Sequence, residues 1–112
     1  MDAKYKAGFL IPQGAKKSLG EDGWEFESDE RLPYELESHL AKELTMSASG
    51  KEFSSFEGNS IKVEVSKDSN GQIESVYFRF YYGPPRLPSF LENIENIDAM
   101  DFFIPRSDDY SK

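Results

Sequence analysis

Few residue types in this chain can do chemistry. Its 112 residues include one histidine, His39, and no cysteine. A Ser-His-Asp site would have to use His39, which falls one position off the row of Leu36 and Leu40. No Gly-x-Ser-x-Gly elbow accompanies it, so His39 reads as a helix-flank residue rather than a base. Without thiols there is no cysteine nucleophile, no disulfide scaffold and no Cys-based zinc or redox site. Asp68-Ser69-Asn70-Gly71 partly matches a calcium loop, but its glycine comes two positions early and no glutamate closes the loop. Asp98 with Asp101, and the pair Asp108-Asp109, read as the start of a strand and a solvated tail. Gly14-Ala15-Lys16-Lys17-Ser18 has the lysine and serine of a phosphate loop without its leading glycine frame, and reads as a basic turn. Pro85-Arg86-Leu87-Pro88 fits the loose PxxP pattern but stands as a linker. No catalytic residue, metal ligand or cofactor site is assigned, and nothing points to an enzyme.

Carboxylates are the exception: there are 21 of them against 13 lysines and arginines, a net charge of −8. Paired acids for glycoside hydrolysis are easily found among so many, so their abundance carries no information. Their distribution does. Residues 1–20 have a net charge of +3, whereas residues 21–45 hold nine acids against Arg31 and Lys42, a net of −7. Within that stretch Glu21, Asp22, Glu25, Glu27, Glu30, Glu35 and Glu37 form a candidate surface for a basic partner. A chain of this charge repels phosphate backbones and anionic membranes, which excludes nucleic acid and membrane surfaces as favoured partners.

These residues must be positioned by elements that the hydropathy pattern outlines. Tyr5 to Pro12 reads as a strand, and Trp24 and Phe26 alternate with Glu25 and Glu27 as a short edge strand or an aromatic flap. Leu36, Leu40 and Leu44 make one face of a helix opened by Leu32-Pro33. Residues 45–50 close that helix in small residues, and Phe53 and Phe56 dock on the core. Ile61, Val63 and Val65 alternate with Lys62 and Glu64, then Asn70-Gly71 turns the chain into the strand Ile73 to Tyr82. Ser89 and Glu92 have capping-box spacing, and Phe90, Leu91, Ile94 and Ile97 form the apolar face of a second helix. Asp98 to Pro105 is the last strand. The order β-α-β-β-α-β predicts a ferredoxin-like α+β domain over residues 1–106. It is an antiparallel sheet with two helices on one face and room for an extra edge strand, followed by a flexible tail at 107–112.

Period-two geometry then places Tyr77, Arg79 and Tyr81 on the sheet face opposite the helices, joined there by Phe103. Tyrosine and arginine suit binding surfaces because they join apolar area to directional polar groups. The strand lacks the Lys/Arg-Gly-aromatic start of RNA-recognition strands. The face therefore reads as a small-ligand, regulatory or homodimer surface, unless residues 15–30 or 51–60 cover it. The leading expectation is a small acidic non-catalytic protein-binding domain, for example an immunity protein or inhibitor neutralising a basic bacterial toxin. The ligand-binding or regulatory domain is its alternative. Gly8 to Pro12 is too short for the core of a signal peptide, which points to the cytoplasm.

Overall fold

Alternating apolar residues drive most of the chain into extended structure. The computed structural model describes residues 5–21 and 23–105. Among these residues eight strands run in chain order: β1 Lys6–Pro12, β2 Lys16–Gly20, β3 Gly23–Glu27, β4 Thr45–Ser49, β5 Phe53–Gly58, β6 Ile61–Lys67, β7 Ile73–Phe80 and β8 Met100–Phe103. One α-helix, α1, spans Glu35–Glu43 between β3 and β4. Six strands form an antiparallel sheet in the order β4-β5-β6-β7-β1-β8, and β2 pairs with β3 in a separate two-stranded sheet.

The ferredoxin-like expectation is thereby corrected. Among the described residues this is a mostly-sheet fold with a single α-helix. The segment expected to form the second helix makes two 3-10 turns instead, at Ser89–Leu91 and Ile97–Ala99. No side-chain cap forms there: Pro88 precedes the first turn, and the Glu92 N–H donates to the Ser89 carbonyl at 3.2 Å in a tight i→i+3 bond. Asn96, at φ 67°, is left-handed and interrupts any helix across the segment. Helix nucleation is costly, so a short stretch flanked by prolines and broken by asparagine cannot sustain helical turns. Leu91 and Ile94 still bury their side chains, so the apolar pattern is satisfied without a helix.

The other correction lies in residues 45–58. Thr45–Ser49, expected to close α1, is an edge strand, and Phe53–Gly58 pairs with both it and β6. The sequence of β4, Thr-Met-Ser-Ala-Ser, has weak strand propensity; pairing with β5 decides its conformation. In β5, Ser54 and Phe56 are wholly buried whereas Phe53 stands half out of the surface.

The β6–β7 hairpin forms, but with a different turn from the one that Asn70-Gly71 suggests. Only Gly71 takes positive φ, at 80°. The Asp68 N–H donates to the Gln72 carbonyl at 2.8 Å and encloses a three-residue loop.

Two apolar layers sandwich the large sheet. On its inner face Leu36 and Leu40 of α1 meet Phe56, Val63, Val65, Val76 and Phe78, all fully buried. Each such side chain contributes roughly 1.5–3 kcal/mol through removal from water. Gly8 of β1 lets the Phe102 ring approach closely: a Cβ would stand 2.5 Å from its Cζ, and the ring would have to move. On the outer face Phe9, Ile11 and Ala15 pack beneath Trp24 and Phe26 of the β2–β3 hairpin.

Candidate functional site

The hairpin register sets where its acids point. Lys16 pairs with Glu27, Lys17 with Phe26, Ser18 with Glu25 and Leu19 with Trp24. Residues opposite one another share a face, so Trp24 and Phe26 turn towards the sheet while Glu25 and Glu27 turn away with Lys16 and Ser18. The Trp24 ring meets Phe103 edge-on at 4.8 Å, and Phe26 lies 5.0 Å from Phe9. Lys17 extends its ammonium over the Phe103 ring at 5.5 Å. Glu25 and Glu27 are exposed, as is Glu21 at the hairpin tip.

Beyond β3 the chain turns through residues 28–31. The Glu30 N–H donates to Ser28 Oγ, and Arg31 is pinned on several sides. Its Nε donates to Asp68 at 2.9 Å, and its Nη1 donates to the carbonyls of Ser28 and Glu30. Glu74 of β7 lies 3.8 Å from its Nη2. The hydrogen bond to Asp68 raises the Arg31 pKa, and Arg31 in turn holds the Asp68 carboxyl below its ordinary range. Asp68 also accepts the N–H groups of Asn70 and Gln72. The acid of the calcium-like stretch therefore acts as the staple of the β6–β7 turn.

Between the hairpin base and this loop lies a cleft of about 420 Å³. Glu27, Asp29, Glu30 and Glu74 line it together with Lys16 and Arg31. Arg31 is committed to Asp68 and Glu74, whereas Glu27, Asp29 and Glu30 enter no ion pair among the described residues. Four carboxylates against Lys16 and Arg31 leave the mouth net negative.

The seven acids expected to act together are divided. Glu21, Glu25, Glu27 and Glu30 lie on the hairpin and its following loop. Glu35 and Glu37 lie in the first turn of α1, in the layer on the other face of the sheet. Asp22 lies outside the described residues, as do the Asp108-Asp109 pair and the tail 107–112. Glu37 is engaged internally. Ser54 Oγ donates to it at 2.6 Å, and Lys67 Nζ lies 2.9 Å away. Burial pushes its pKa up, but the Ser54 hydroxyl and Lys67 outweigh that and leave it below the usual range. Asp29 and Glu74, absent from the expected set, complete the cleft. Asp29 adjoins Glu30 in sequence, but Glu74 is brought in by a strand more than forty residues away.

The outer sheet face divides too. Tyr77, Arg79 and Tyr81 occupy it next to Lys62 and Glu64, and the register pairs Glu64 with Tyr77 and Lys62 with Arg79. The hairpin covers Phe103 and part of Tyr77, which stacks on Phe9 at 4.8 Å and 13°. Residues 51–60 extend the sheet through β5 and do not cover this face. Arg79 lies between two phenol rings, 5.1 Å from the centre of Tyr77 and 5.5 Å from that of Tyr5. Its Nη2 is 3.4 Å from Glu64, and the Tyr77 hydroxyl donates to that of Tyr5 at 3.4 Å. Burial opposes the Arg79 charge, but the Tyr77 hydroxyl and Glu64 prevail and raise its pKa. Burial also raises that of the Tyr77 phenol. Tyr5 closes this cluster, and no sequence pattern marks it, because it stands just before β1, some seventy residues from its partners. Tyr81 meets it edge-on at 5.9 Å.

Other sequence features settle into structural parts. His39 Nδ1 engages the Glu35 carbonyl within α1 at 2.9 Å. Among the described residues no three His, Asp or Glu side chains converge as a metal site, and no helix is long and apolar enough to cross a membrane. Compared with known proteins, the chain matches no family model, no curated protein and no solved structure.

Proposed function

We propose that this chain is a non-catalytic protein-binding domain. It takes a basic partner on the outward side of the β2–β3 hairpin and the loop after it. An inhibitor of a basic toxin, of the immunity-protein kind, is its concrete form, with the cytoplasm as its setting. The observation that carries the reading is the cleft where Glu27, Asp29 and Glu30 face solvent without ion-pair partners among the described residues. A lysine or arginine from a partner would find carboxylates there that need not be released from internal bonds. Glu25 and Glu21 extend the same negative field along the hairpin, which favours fast, steered encounter.

The test is affinity capture from the native host, followed by association kinetics with the captured partner. The partner's association rate should fall roughly tenfold or more from low to high salt, because screening cuts the steering field. Charge reversal at Glu25, Glu27 and Glu30 should produce a similar loss, whereas Glu35→Lys on α1 should have little effect. Binding that is indifferent to both salt and the triple reversal overturns the reading.

A second reading, a ligand-binding or regulatory surface, has one observation in its favour. Tyr5, Tyr81 and Arg79 stay outside the hairpin's cover. Loss of binding in Tyr81→Ala with the acids intact would favour it.

A further inference from the structure

The chain has asparagines at Asn59, Asn70, Asn93 and Asn96, and only Asn70 is followed by glycine. Ile94 and Ile97 follow two of the others, and Ser60 follows the third. An asparagine carboxamide is open to attack by the backbone nitrogen of the next residue, and a side chain on that residue crowds the approach. Gly71 carries no side chain, and the space beside it is open: a Cβ built there would meet nothing within 4 Å. Asn70 and Gly71 are both exposed, in the loop between β6 and β7. The Asn70 carboxamide enters no hydrogen bond among the described residues, so it can turn onto its own backbone.

The backbone of the loop is held more firmly. Asp68 Oδ1 accepts the N–H of Asn70 at 2.8 Å and that of Gln72 at 3.0 Å. The Gly71 N–H, whose nitrogen would react, donates to the Asp68 carbonyl at 3.0 Å. Arg31 Nε steadies the Asp68 carboxylate from outside at 2.9 Å. Attack requires the Gly71 nitrogen to give up its proton to hydroxide, so its hydrogen bond must open first. We infer that Asn70-Gly71 is a site of intramolecular deamidation, slowed by the clamp that Asp68 places on the turn. The deprotonated Gly71 nitrogen bonds to Asn70 Cγ, the Cγ–Nδ2 bond breaks, and the nitrogen leaves as ammonia with a proton from water. Water then opens the cyclic imide. Attack at Cγ gives aspartate, whereas attack at the main-chain carbonyl leaves the chain running through Cγ as isoaspartate. Either product adds a negative charge beside Asp68. Isoaspartate also adds a methylene to the backbone of the turn on which Arg31 is anchored. This site is separate from the acidic cleft and does not depend on the reading of it.

The test is incubation of the full chain in warm, mildly alkaline buffer, with samples digested by trypsin and read by mass spectrometry. The peptide Asp68–Arg79 should gain about 1 Da at residue 70 over days to weeks. Peptides carrying Asn59, Asn93 and Asn96 should keep their starting mass over the same time. Asn70→Gln should abolish the gain, because ring closure through the longer side chain is far slower. In denaturing guanidinium chloride, where the clamp is lost, conversion should run about two- to tenfold faster, the factor set by one net hydrogen bond. Asp68→Ala, shown to be folded by circular dichroism, should also convert faster than the parent; if it does not fold, the guanidinium comparison decides. No gain at residue 70 overturns the inference, as does a gain at Asn59 that is equally fast. A native chain that converts as fast as the denatured one, or a folded Asp68→Ala no faster than the parent, overturns the part given to the clamp.

Discussion

The two faces of the large sheet are built from the same strands yet obey different chemistry. The inner face is dry and mostly aliphatic, with Leu36 and Leu40 seated on Val63, Val65, Val76 and the ring of Phe78, none of them exposed. The outer face is aromatic and charged, with Phe9, Tyr77 and Phe103 beside Arg79 and Glu64. In β7 the two sets alternate residue by residue: Val76, Phe78 and Phe80 inward, Tyr77 and Arg79 outward. The covers differ as well. A helix and two short turns close the inner face, whereas a two-stranded hairpin held largely by Trp24 and Phe26 covers only part of the outer one. The inner layer is therefore closed along its length, whereas the outer layer is closed only under the hairpin and leaves Tyr5, Arg79 and Tyr81 outside it.

The sharpest way to break this contrast is to remove one ring from each side. Phe78→Ala opens a cavity in the dry layer and should cost about 3–5 kcal/mol, read from urea unfolding. Trp24→Ala removes the hairpin's main anchor and should cost about 1–3 kcal/mol. It should also speed hydrogen exchange in β2 and β3 while leaving β6 and β7 protected. If Trp24→Ala proved as costly as Phe78→Ala, with exchange rising everywhere, the two faces would form one cooperative core.

The smallest effect concerns the charged tie between α1 and the sheet. Glu37 has a folded pKa below the ordinary 4.5 of a glutamate. Its contribution to stability is therefore present above about pH 4.5 and is lost as pH falls through the lowered folded value. Because the group is partly exposed, the effect should stay below about 1 kcal/mol. Urea unfolding from neutral pH to pH 3 should show Glu37→Gln less stable than the parent at neutral pH. The two should converge in acid. Parallel curves would mean that the carboxylate contributes nothing through its charge.

The parts of this molecule that can be read from the chain are those where a side-chain period decides the structure locally. The leucine row at Leu36 and Leu40 marks α1, and alternation from Ile61 to Val65 and from Ile73 to Phe80 marks the central hairpin. The division of outward Tyr77 and Arg79 from inward Phe78 follows from the same period. Legibility ends where long-range pairing overrides local preference. Thr45–Ser49 is a strand only because β5 lies beside it, and Ser89–Ile97 satisfies its apolar residues through 3-10 turns. The acid-rich stretch shows where the charge is dense along the chain. It does not show that α1 carries Glu35 and Glu37 to the opposite layer, or that Glu74 joins the cleft from β7.

Trp24 is the only tryptophan in the chain. Its indole Nε1 is buried without a hydrogen-bond partner among the described residues, and its ring abuts Phe103. No tryptophan lies in the aliphatic layer, so a change in indole emission that precedes loss of the large sheet reports the hairpin leaving Phe103. Far-ultraviolet dichroism follows the large sheet. Light at two wavelengths thus reveals whether the acidic hairpin lifts before the body that carries it melts, with no added label.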